Sequence, residues 1–300
     1  MADRVLVSVI IPTYNRATDV IKCVKSVLNS TLKNIEVIVV DNASTDNTIE
    51  KLKIFSSDSR FKLIKSLVNL GAGGGRNRGA PRACGKYLLF VDSDNIIDSK
   101  MVEYLVDFFD NRPDCGMVGP LMLIESNRKI IWTYFADINM YTSQAKYKGT
   151  GEKNIGQFPE VIPVGHLPNC FMVKNREFKK VGGFEEKYLI IYEEADLAEK
   201  IKRLRKKIYL FSKAITYHAV DLPKPEDKKN YGFRSPERAF LLARNRVYFM
   251  KRNANWLQKI AFFVVFNPII CCYYQLNLIR TGQSNKARAY LRGYFTGIFT

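Results

Sequence analysis

The sequence lacks the cysteine spacing on which structural zinc sites and thioredoxin-like redox centres are built. Its six cysteines include no CxxC pair, which argues against both kinds of site. We therefore interpret the thiols as buried or incidental cysteines of a protein in a reducing compartment.

The sequence also lacks internal repeats, disordered tracts and a complete signal peptide. Its composition, 47% hydrophobic and 25% charged, is typical of a soluble globular chain, and 300 residues are enough for one large domain or two smaller ones. The apolar run near the N-terminus is short, follows Asp3 and precedes no small-residue cleavage site. We interpret this run as the first β-strand.

Acidic side chains are scarce in the C-terminal part of the chain. Residues 1–173 hold 21 Lys and Arg against 18 Asp and Glu, whereas residues 174–300 hold 26 against 11. From Lys228 onward, 13 basic residues accompany one acid, Glu237. This block favours an anionic partner, either nucleic acid, an anionic membrane surface or a phosphorylated substrate. A solvated basic surface without a partner is the alternative.

Apolar runs alternate with amphipathic segments over the first 110 residues. The predicted strands are "VLVSVIIPTYNR", "IEVIVVDNAS", "FKLIKS" and residues 86–91. Helices are predicted after each strand: one beginning near Val20, one capped by Thr45 or Asp46, one over 73–84 and one capped by Ser99. The alternation predicts an α/β fold, with a parallel sheet and helices on both faces.

Three carboxylates follow predicted strands. Asp41 ends the second strand, and Asp92 and Asp94 follow the fourth. Ligands of such sheets bind beyond the carboxyl ends of the strands, so we expect the three acids to face one crevice. Mg²⁺ is usually held by one or two carboxylates and substrate phosphates, which makes a nucleoside diphosphate a natural ligand. A polar strand end without a ligand is the alternative.

The segment "NLGAGGGRNRGA" (69–80) is rich in glycine but does not fit the G-x-G-x-x-G dinucleotide template. We predict a loop that leads into a helix and brings backbone N–H groups, with Arg76 and Arg78, close to a ligand. A purely structural glycine-rich turn is the alternative.

The second half of the sequence is less regular. Residues 120–173 predict mixed short strands, 193–207 a helix, and 208–230 a strand "IYLFS" followed by a loop that bears His218. Ser235 is predicted to cap a helix that reaches about Asn253.

The last 41 residues combine apolar and basic segments. The apolar run 260–279 is interrupted by Asn267 and Pro268, so a clean membrane span is not expected from it. Residues 284–299 predict a helix that lies in a membrane interface. Its apolar face is expected to consist of Ala287, Leu291, Tyr294 and Ile298. The alternative is that the helices of 236–300 pack on the preceding domain.

Six motifs in order resemble those of the family 2 glycosyltransferases, most closely the rhamnosyltransferase-like branch. They cover roughly residues 5–220: "VSVIIPTYNR", "VIVVDNASTDNT", "NLGAGGGRNRG", "LLFVDSDN", "GGFEE" and "YEEADLAEKI". The resemblance implies a GT-A fold, in which a Rossmann-like, mostly parallel sheet is flanked by helices. We expect residues 1–232 to form this domain, with 1–120 binding the nucleotide sugar and 121–232 the acceptor. Residues 233–300 are expected to be a helical, membrane-associating segment.

The resemblance also implies roles for individual residues. Positions where the family holds the nucleotide sugar are Thr13, Tyr14, Asn15, Asp41, Arg76, Asn77 and Asp92. Asp94 matches the metal-binding acid, and His218 a histidine that often completes a Mg²⁺ or Mn²⁺ site. Glu194 occupies the position of the catalytic base, usually an aspartate. Asp196 is the second candidate for that role, or else binds the acceptor or ties its helix to a loop.

The implied reaction is an inverting, metal-assisted displacement on a UDP-, GDP- or dTDP-sugar. The acceptor is expected to be a glycan or a polyprenyl-phosphate-linked lipid. The basic, apolar C-terminal segment would then hold the enzyme at the cytoplasmic face of the membrane, peripherally, on an anionic surface.

Other functions remain open at this point. A metal-dependent nucleotidyltransferase also needs an acidic pair beside a parallel sheet. A basic nucleic-acid-binding protein would explain the charge but leaves the acidic cluster without a role, and no known binding module is visible, so no nucleic-acid partner is expected. A non-catalytic homologue is the third alternative, although every acidic motif is filled.

Overall fold

The computed structural model describes residues 5–219, residue 233 and residues 235–299. The strands are β1 Val7–Thr13, β2 Ile35–Asp41, β3 Phe61–Lys65, β4 Tyr87–Val91, β5 Asn95–Ile97, β6 Cys115–Ile124, β7 Ile131–Thr133, β8 Phe135–Ile138, β9 Ala145–Lys148, β10 Val161–Pro163, β11 Cys170–Lys174 and β12 Lys207–His218. The helices are α1 Ala17–Leu28, α2 Thr48–Leu52, α3 Gly71–Gly79, α4 Met101–Asp110, α5 Asn175–Lys180, α6 Glu193–Lys202, α7 Pro236–Asn253, α8 Trp256–Ile260, α9 Asn267–Arg280 and α10 Ser284–Phe299.

One large sheet forms the centre of the fold, with the strand order β10-β12-β6-β11-β4-β1-β2-β3. The four N-terminal strands β3, β2, β1 and β4 are parallel, as predicted, because each returns through a helix. β11 is antiparallel to both β4 and β6, so the sheet as a whole is mixed. Every residue of β1, β2 and β4 is buried, as continuous apolar strands covered on both faces require.

The glycine-rich segment is helical, as predicted from residue 73 onward, but the helix already begins at Gly71, where a loop was expected. The glycines lie within α3, which starts at Gly71 and ends at Gly79 instead of covering 73–84. The reason is close packing against the strand ends: a Cβ at Gly75 would stand 2.9 Å from the Cβ of Pro12. Arg76 and Asn77, in the middle of this helix, are thereby fixed directly above the sheet.

Two other boundaries differ from the prediction. The helix predicted over 193–207 ends at Lys202, because the turn that follows places Arg205 at φ 59°, where a helix cannot continue. The next strand, β12, is longer than "IYLFS" and carries His218 as its last residue, paired with β6 and β5, and not in a loop. Ser99 does not cap α4; the Asp98 carboxylate accepts the Lys100 N–H instead.

The C-terminal helices α7 and α10 pack against each other along their length. The buried positions of α10 are Ala287, Tyr290, Gly293 and Gly297. The apolar face predicted for α10 was therefore wrong in its orientation around the helix axis, because it included Leu291, which is exposed. An apolar pattern ignores glycine, yet a Cβ at Gly293 would stand 2.2 Å from the Phe240 carbonyl oxygen, so the two backbones touch there.

Along the chain, α7 and α10 are connected by a single apolar helix, Trp256–Arg280, which includes α8, a π-helical turn at Ala261–Phe266 and α9. By length and composition it is the one helix among the described residues that could cross a membrane. Only 28% of its most apolar stretch is buried inside the structure. The π-turn precedes Pro268, which cannot donate the usual helical hydrogen bond. Its large exposed side chains are Trp256, Leu257, Ile260, Val264, Val265, Ile269, Tyr273, Leu276 and Ile279.

The C-terminal helices also share a core with the preceding domain. Tyr188 and Ala195 form one buried cluster with Val247, Met250 and Phe262. The predicted domain boundary at residue 232 lies outside the described residues, and the division itself stays a prediction. The shared cluster joins α6 directly to α7.

We predict that Gly293→Ala destabilises the protein even though alanine is the better helix former. The added methyl group must displace the backbone of α7 at Phe240, and overpacking of this kind costs about 1–3 kcal/mol. Thermal unfolding should show a Tm lower by several degrees. Arg288→Ala, at an exposed position of α10, is the control and should change little. Equal Tm values for the two variants would contradict the close contact.

Candidate active site

The carboxyl ends of three adjacent parallel strands carry polar residues. Thr13, at the end of β1, lies in register with Asp41, at the end of β2, and β4 on the other side of β1 leads into Asp92. Since neighbouring strands lie about 4.8 Å apart, Asp41 and Asp92 are separated by about 10 Å at the same edge of the sheet. The predicted common edge is therefore present.

A single arginine joins the acid after β4 to the start of α6. Arg76 Nη2 lies 2.6 Å from Asp92 Oδ1 and 2.8 Å from Glu194 Oε1. α3 supplies the guanidinium, and the strand end and the helix start supply the two carboxylates. Arg76 and Glu194, which are 118 positions apart in the chain, are thus in direct contact.

The guanidinium of Arg76 is fully buried, at 0% exposure. It packs against the rings of Phe171 and Phe184, whose centroids are 5.5 and 5.3 Å from its central carbon. Burial opposes its charge, but the carboxylates of Asp92 and Glu194 outweigh that effect and raise the pKa of Arg76. Its Nε and Nη1 atoms have no hydrogen-bond partner among the described residues. The site therefore holds a permanent buried cation.

Glu194 is held from two sides. Besides Arg76, the backbone N–H of Asn169 donates to Glu194 Oε1 at 2.8 Å, and the Asn169 carbonyl accepts the Asp92 N–H. Asn169 has φ 62°, a conformation that asparagine tolerates better than most residues. Burial and the charge of Asp92 raise the pKa of Glu194, while Arg76 and the Asn169 N–H lower it, with a net increase. A carboxylate of raised basicity and fixed direction is suited to accept a proton.

The neighbouring Glu193 is buried as well. Its Oε2 atom has no hydrogen-bond partner among the described residues, and burial together with the charge of Glu194 raises its pKa. Burial and the neighbouring carboxylate therefore both favour the uncharged form of Glu193, which limits repulsion against Glu194.

Asp94 forms a second group with residues from two other elements. His218 Nε2 lies 3.7 Å from Asp94 Oδ1, and Arg16 Nη1 lies 3.2 Å from Asp94 Oδ2. Burial and the charge of Asp92 raise the pKa of Asp94. No group of three or more His, Cys, Asp or Glu side chains within the described residues is arranged to hold a metal ion. Asp94 and His218 nevertheless form a carboxylate–imidazole pair, which suits Mn²⁺ when phosphate oxygens supply further ligands.

The remaining residues expected around the nucleotide lie in a separate cluster. The Asn15 side chain accepts the N–H groups of Thr45 and Asp46, which ties the loop after β1 to the loop after β2. Asp41 accepts the Ser44 N–H, and its other oxygen is buried with no partner among the described residues, as is the Thr13 hydroxyl. Tyr14 is exposed. No contact recorded for the described residues links Asp41 to Asp92 or Asp94.

Two other predicted residues point away from this edge. The Asn77 side chain bonds to the backbone of Phe184 and to Glu186, and therefore fixes the segment that precedes α6. Asp196 is buried against α7, where it accepts from Asn253 at 2.9 Å and from Arg252 at 3.2 Å. Asp196 thus ties α6 to another helix, α7, whereas a tie to a loop was one of the expected roles.

Two contributors were not predicted from the sequence. Arg16 lies in the quoted motif "VSVIIPTYNR", so its position after the first strand was a usable signal. Asn169 acts through its backbone N–H and lies in the irregular segment 120–173, where the sequence gave no pattern from which its contact with Glu194 could be found.

Comparison with known proteins identifies related sequences. A family model described as "Glycosyl transferase family 2" matches residues 8–174, more than half of the chain. The glycosyltransferase GlyG of Streptococcus pneumoniae serotype 4 is 27% identical over 177 residues, which cover 59% of each chain. The UDP-Glc:alpha-D-GlcNAc-diphosphoundecaprenol beta-1,3-glucosyltransferase WfgD of Escherichia coli is 36% identical over 125 residues, 42% of this chain and 49% of WfgD. The match spans less than two thirds of either relative.

Solved structures resemble the fold over most of the chain. The mannosyltransferase PcManGT from Pyrobaculum calidifontis, in complex with GDP-Man and Mn²⁺, has a TM-score of 0.61 at 15% identity and covers 99% of this chain and 88% of its own. Residues 1–349 of S. aureus TarS, in complex with UDP-GlcNAc, have a TM-score of 0.57 at 20% identity over 85% of this chain and 69% of that one. The predicted GT-A fold is confirmed.

We predict that Arg76→Met destabilises the protein by about 3 kcal/mol, because it leaves two carboxylates without their buried counterion. Without the cation, the folded-state pKa of Glu194 rises further above its unfolded value. Stability associated with such an acid is lost as pH increases, so the deficit should be larger at pH 8 than at pH 5. Thermal unfolding at both pH values measures it.

Arg78→Met, at an exposed position on the same helix, is the matched control and should leave Tm unchanged at both pH values. A Tm for Arg76→Met equal to that of the wild type, or a deficit that shrinks toward pH 8, would contradict the counterion role.

Proposed function

This chain belongs to glycosyl transferase family 2, and we propose that it transfers a sugar from a nucleoside-diphosphate sugar to an acceptor hydroxyl with inversion at the anomeric carbon. The observation that carries the proposal is the attachment of Glu194 and Asp92 to one buried guanidinium. It brings an acid of raised pKa to the edge of the sheet where the donor of a GT-A enzyme is expected.

Glu194 is the general base in this proposal. It accepts the proton of the acceptor hydroxyl while the hydroxyl oxygen forms a bond to the anomeric carbon. The bond from that carbon to the diphosphate oxygen breaks on the opposite face, and the electron pair leaves with the nucleoside diphosphate. A single displacement of this kind inverts the configuration. The Asn169 N–H and Arg76 both bind Oε1 of Glu194 and thereby keep its carboxylate in a fixed orientation.

Asp94 and His218 are the proposed ligands of Mg²⁺ or Mn²⁺. When bound, such an ion acts as a Lewis acid that stabilises negative charge on the leaving diphosphate. Arg16, which lies 3.2 Å from Asp94, adds a positive charge on the same side of the site. Mn²⁺ in the complex of the structural relative PcManGT supports a divalent ion here.

The donor is proposed to occupy the edge formed by β2, β1 and β4. Thr13 and Asp41 offer buried polar atoms that have no partner among the described residues, and exposed Tyr14 lies beside them. Asp92 is proposed to face the ribose. In this proposal Asn15 and Asn77 shape the site through the loops that they hold, and Asp196 ties α6 in place instead of acting as a base.

The proposed donor is a UDP-, GDP- or dTDP-sugar, and motif similarity favours the rhamnosyltransferase-like branch. The proposed acceptor is a glycan or a polyprenyl-phosphate-linked glycan. WfgD, by its name, acts on a diphosphoundecaprenol-linked sugar, and this supports a lipid-linked class without fixing the substrate.

We further propose that the chain is peripheral at the cytoplasmic face of the membrane. Nine large apolar side chains of Trp256–Arg280 are exposed, and the surrounding C-terminal segment is strongly basic. Apolar contact combined with attraction to anionic lipids is the usual basis of interfacial binding.

We predict that Glu194→Gln lowers kcat by about 10²–10⁴-fold, since the amide cannot accept the proton. Purified full-length protein would be incubated with UDP-glucose, UDP-N-acetylglucosamine, GDP-mannose or dTDP-rhamnose and Mn²⁺, and nucleoside diphosphate release measured. The wild-type pH profile should have its acid limb above the ordinary glutamate pKa of about 4.3, because burial raises the pKa of Glu194 and the base works only when ionised.

Glu199→Gln, on the same helix, is the control and should keep wild-type kcat. NMR of the released sugar reports its anomeric configuration. Retention of configuration, or wild-type turnover by Glu194→Gln, would sink the proposed mechanism.

We predict that replacing Val265, Ile269 and Leu276 by serine weakens binding to anionic liposomes at least tenfold, because the three exposed side chains lie on one stripe of the apolar helix. Sedimentation of the full-length protein with liposomes measures this. Leu67→Ser, which changes an apolar side chain that is 98% exposed outside the C-terminal segment, is the control. Full-length wild-type protein that stays in the supernatant would exclude the membrane proposal.

A further inference from the structure

The segment immediately before α6 has a strained backbone. Leu189 has φ 64° and ψ −62°, and the Ile190 N–H donates to the Tyr188 carbonyl at 2.8 Å, which together define the strained form of the γ-turn. Ile191 and Tyr192 follow at φ 68° and 78°. Each such residue costs about 1–3 kcal/mol and persists only where the surroundings enforce it. Something must therefore hold this turn.

One asparagine of α7 supplies that hold. The Asn245 side-chain amide donates to the carbonyl oxygens of Tyr188 at 2.9 Å, Ile190 at 2.7 Å and Ile191 at 3.0 Å. Its own oxygen accepts from the Arg244 guanidinium at 2.8 Å, so the orientation of the amide is determined by partners on both ends. Asn245 is completely buried. A buried side-chain amide that donates to three carbonyl oxygens of one turn stabilises that particular backbone conformation, which nonspecific packing does not do.

The turn connects directly to the proposed base. The Asp196 N–H bonds to the Tyr192 carbonyl at 2.8 Å, which begins α6, so Glu194 lies within the first turn that this contact closes. The Leu189 carbonyl also accepts the Ala72 N–H at the start of α3, the helix that carries Arg76. A change of the turn would therefore move Glu194 and its counterion relative to each other.

We propose that Asn245 is a positioning residue of the transferase: its amide holds the strained turn Leu189–Tyr192 and thereby places Glu194 against Arg76 and the Asn169 N–H. This inference rests on the proposed function of Glu194. It makes α7, a helix of the basic C-terminal segment, a part of the active site, and it assigns the strain of the turn to the placement of the base.

The test compares Asn245→Ala with Tyr290→Phe in the full-length protein. Tyr290→Phe removes the 2.8 Å hydrogen bond that Arg246 donates to the Tyr290 hydroxyl, and it keeps every hydrogen bond of the Asn245 side chain to the turn. For hydrolysis of the donor that the wild type accepts among the four named above, Asn245→Ala should lower kcat at least tenfold, because small misplacements of a catalytic group have large effects. Its KM for that donor should stay within threefold.

The pH profile separates positioning from general destabilisation. In Asn245→Ala, Glu194 loses part of its contact with Arg76, so the acid limb should move to higher pH. Tyr290→Phe should lower Tm but keep the wild-type kcat and acid limb. If Asn245→Ala keeps both within twofold of wild type while folded, or if both variants lose activity in proportion to their Tm, the proposal is wrong.

A second substitution, which relieves the backbone strain at Leu189, tests the same assignment. Glycine adopts φ 64° without the cost that leucine incurs. The double variant Asn245→Ala/Leu189→Gly should therefore have a kcat at least threefold higher than that of Asn245→Ala. No recovery in a folded double variant would contradict the assignment. If Asn245→Ala does not fold, Asn245→Ser, which keeps one donor, is used in the same comparison.

Hydrogen exchange distinguishes failure of this inference from failure of the proposed function. Amide exchange in residues 187–193 should be faster in Asn245→Ala than in Tyr290→Phe, whether or not any donor is hydrolysed. If the wild-type protein shows no turnover, the proposed transferase role of Glu194 is wrong. If exchange in residues 187–193 is the same in Asn245→Ala and Tyr290→Phe, the proposed role of Asn245 is wrong.

Discussion

The site depends on one buried guanidinium that neutralises two carboxylates from distant parts of the chain. Arg76 packs against the rings of Phe171 and Phe184 and binds Asp92 and Glu194 through one nitrogen. The side chains of Asp92 and Glu194 are partly buried, at 27% and 14% exposure, and the buried cation lowers the cost of placing two carboxylates side by side there. The strand end and the helix start are thereby held at a fixed separation, in which an acceptor hydroxyl and a donor sugar can meet.

The C-terminal segment takes part in the same arrangement. α7 holds the turn before α6 through Asn245 and holds α6 itself through contacts of Arg252 and Asn253 with Asp196. The apolar helix Trp256–Arg280, which follows α7, exposes one set of its apolar side chains and buries Phe262 in the cluster shared with α7. The surface that we propose to contact the membrane is thus one short connection away from the residues that orient the base. The proposed membrane contact and the placement of Glu194 therefore both involve the helices that share the cluster of Tyr188, Ala195, Val247, Met250 and Phe262.

Much of the fold and part of the site could be predicted because they follow from local pattern. The buried strands β1, β2 and β4 appear as continuous apolar runs, so Asp41, Asp92 and Asp94 could be placed at one sheet edge. Contacts that depend on backbone geometry could not be predicted: the glycines of α3, the rotated face of α10 at Gly293, and the Asn169 N–H on Glu194. Arg76 was predicted among the residues around the nucleotide sugar. Its ion pairs with Asp92 and Glu194 depend on the tertiary fold and could not be predicted from the sequence.

A crystal structure of the full-length protein with UDP and Mn²⁺ tests the central claim most directly. The account predicts an anomalous Mn²⁺ peak between Asp94 and His218, with the diphosphate bound to it, while Arg76 stays within hydrogen-bond distance of Glu194. A metal bound away from Asp94, or a Glu194 that has left Arg76 and faces away from the nucleotide, would contradict it.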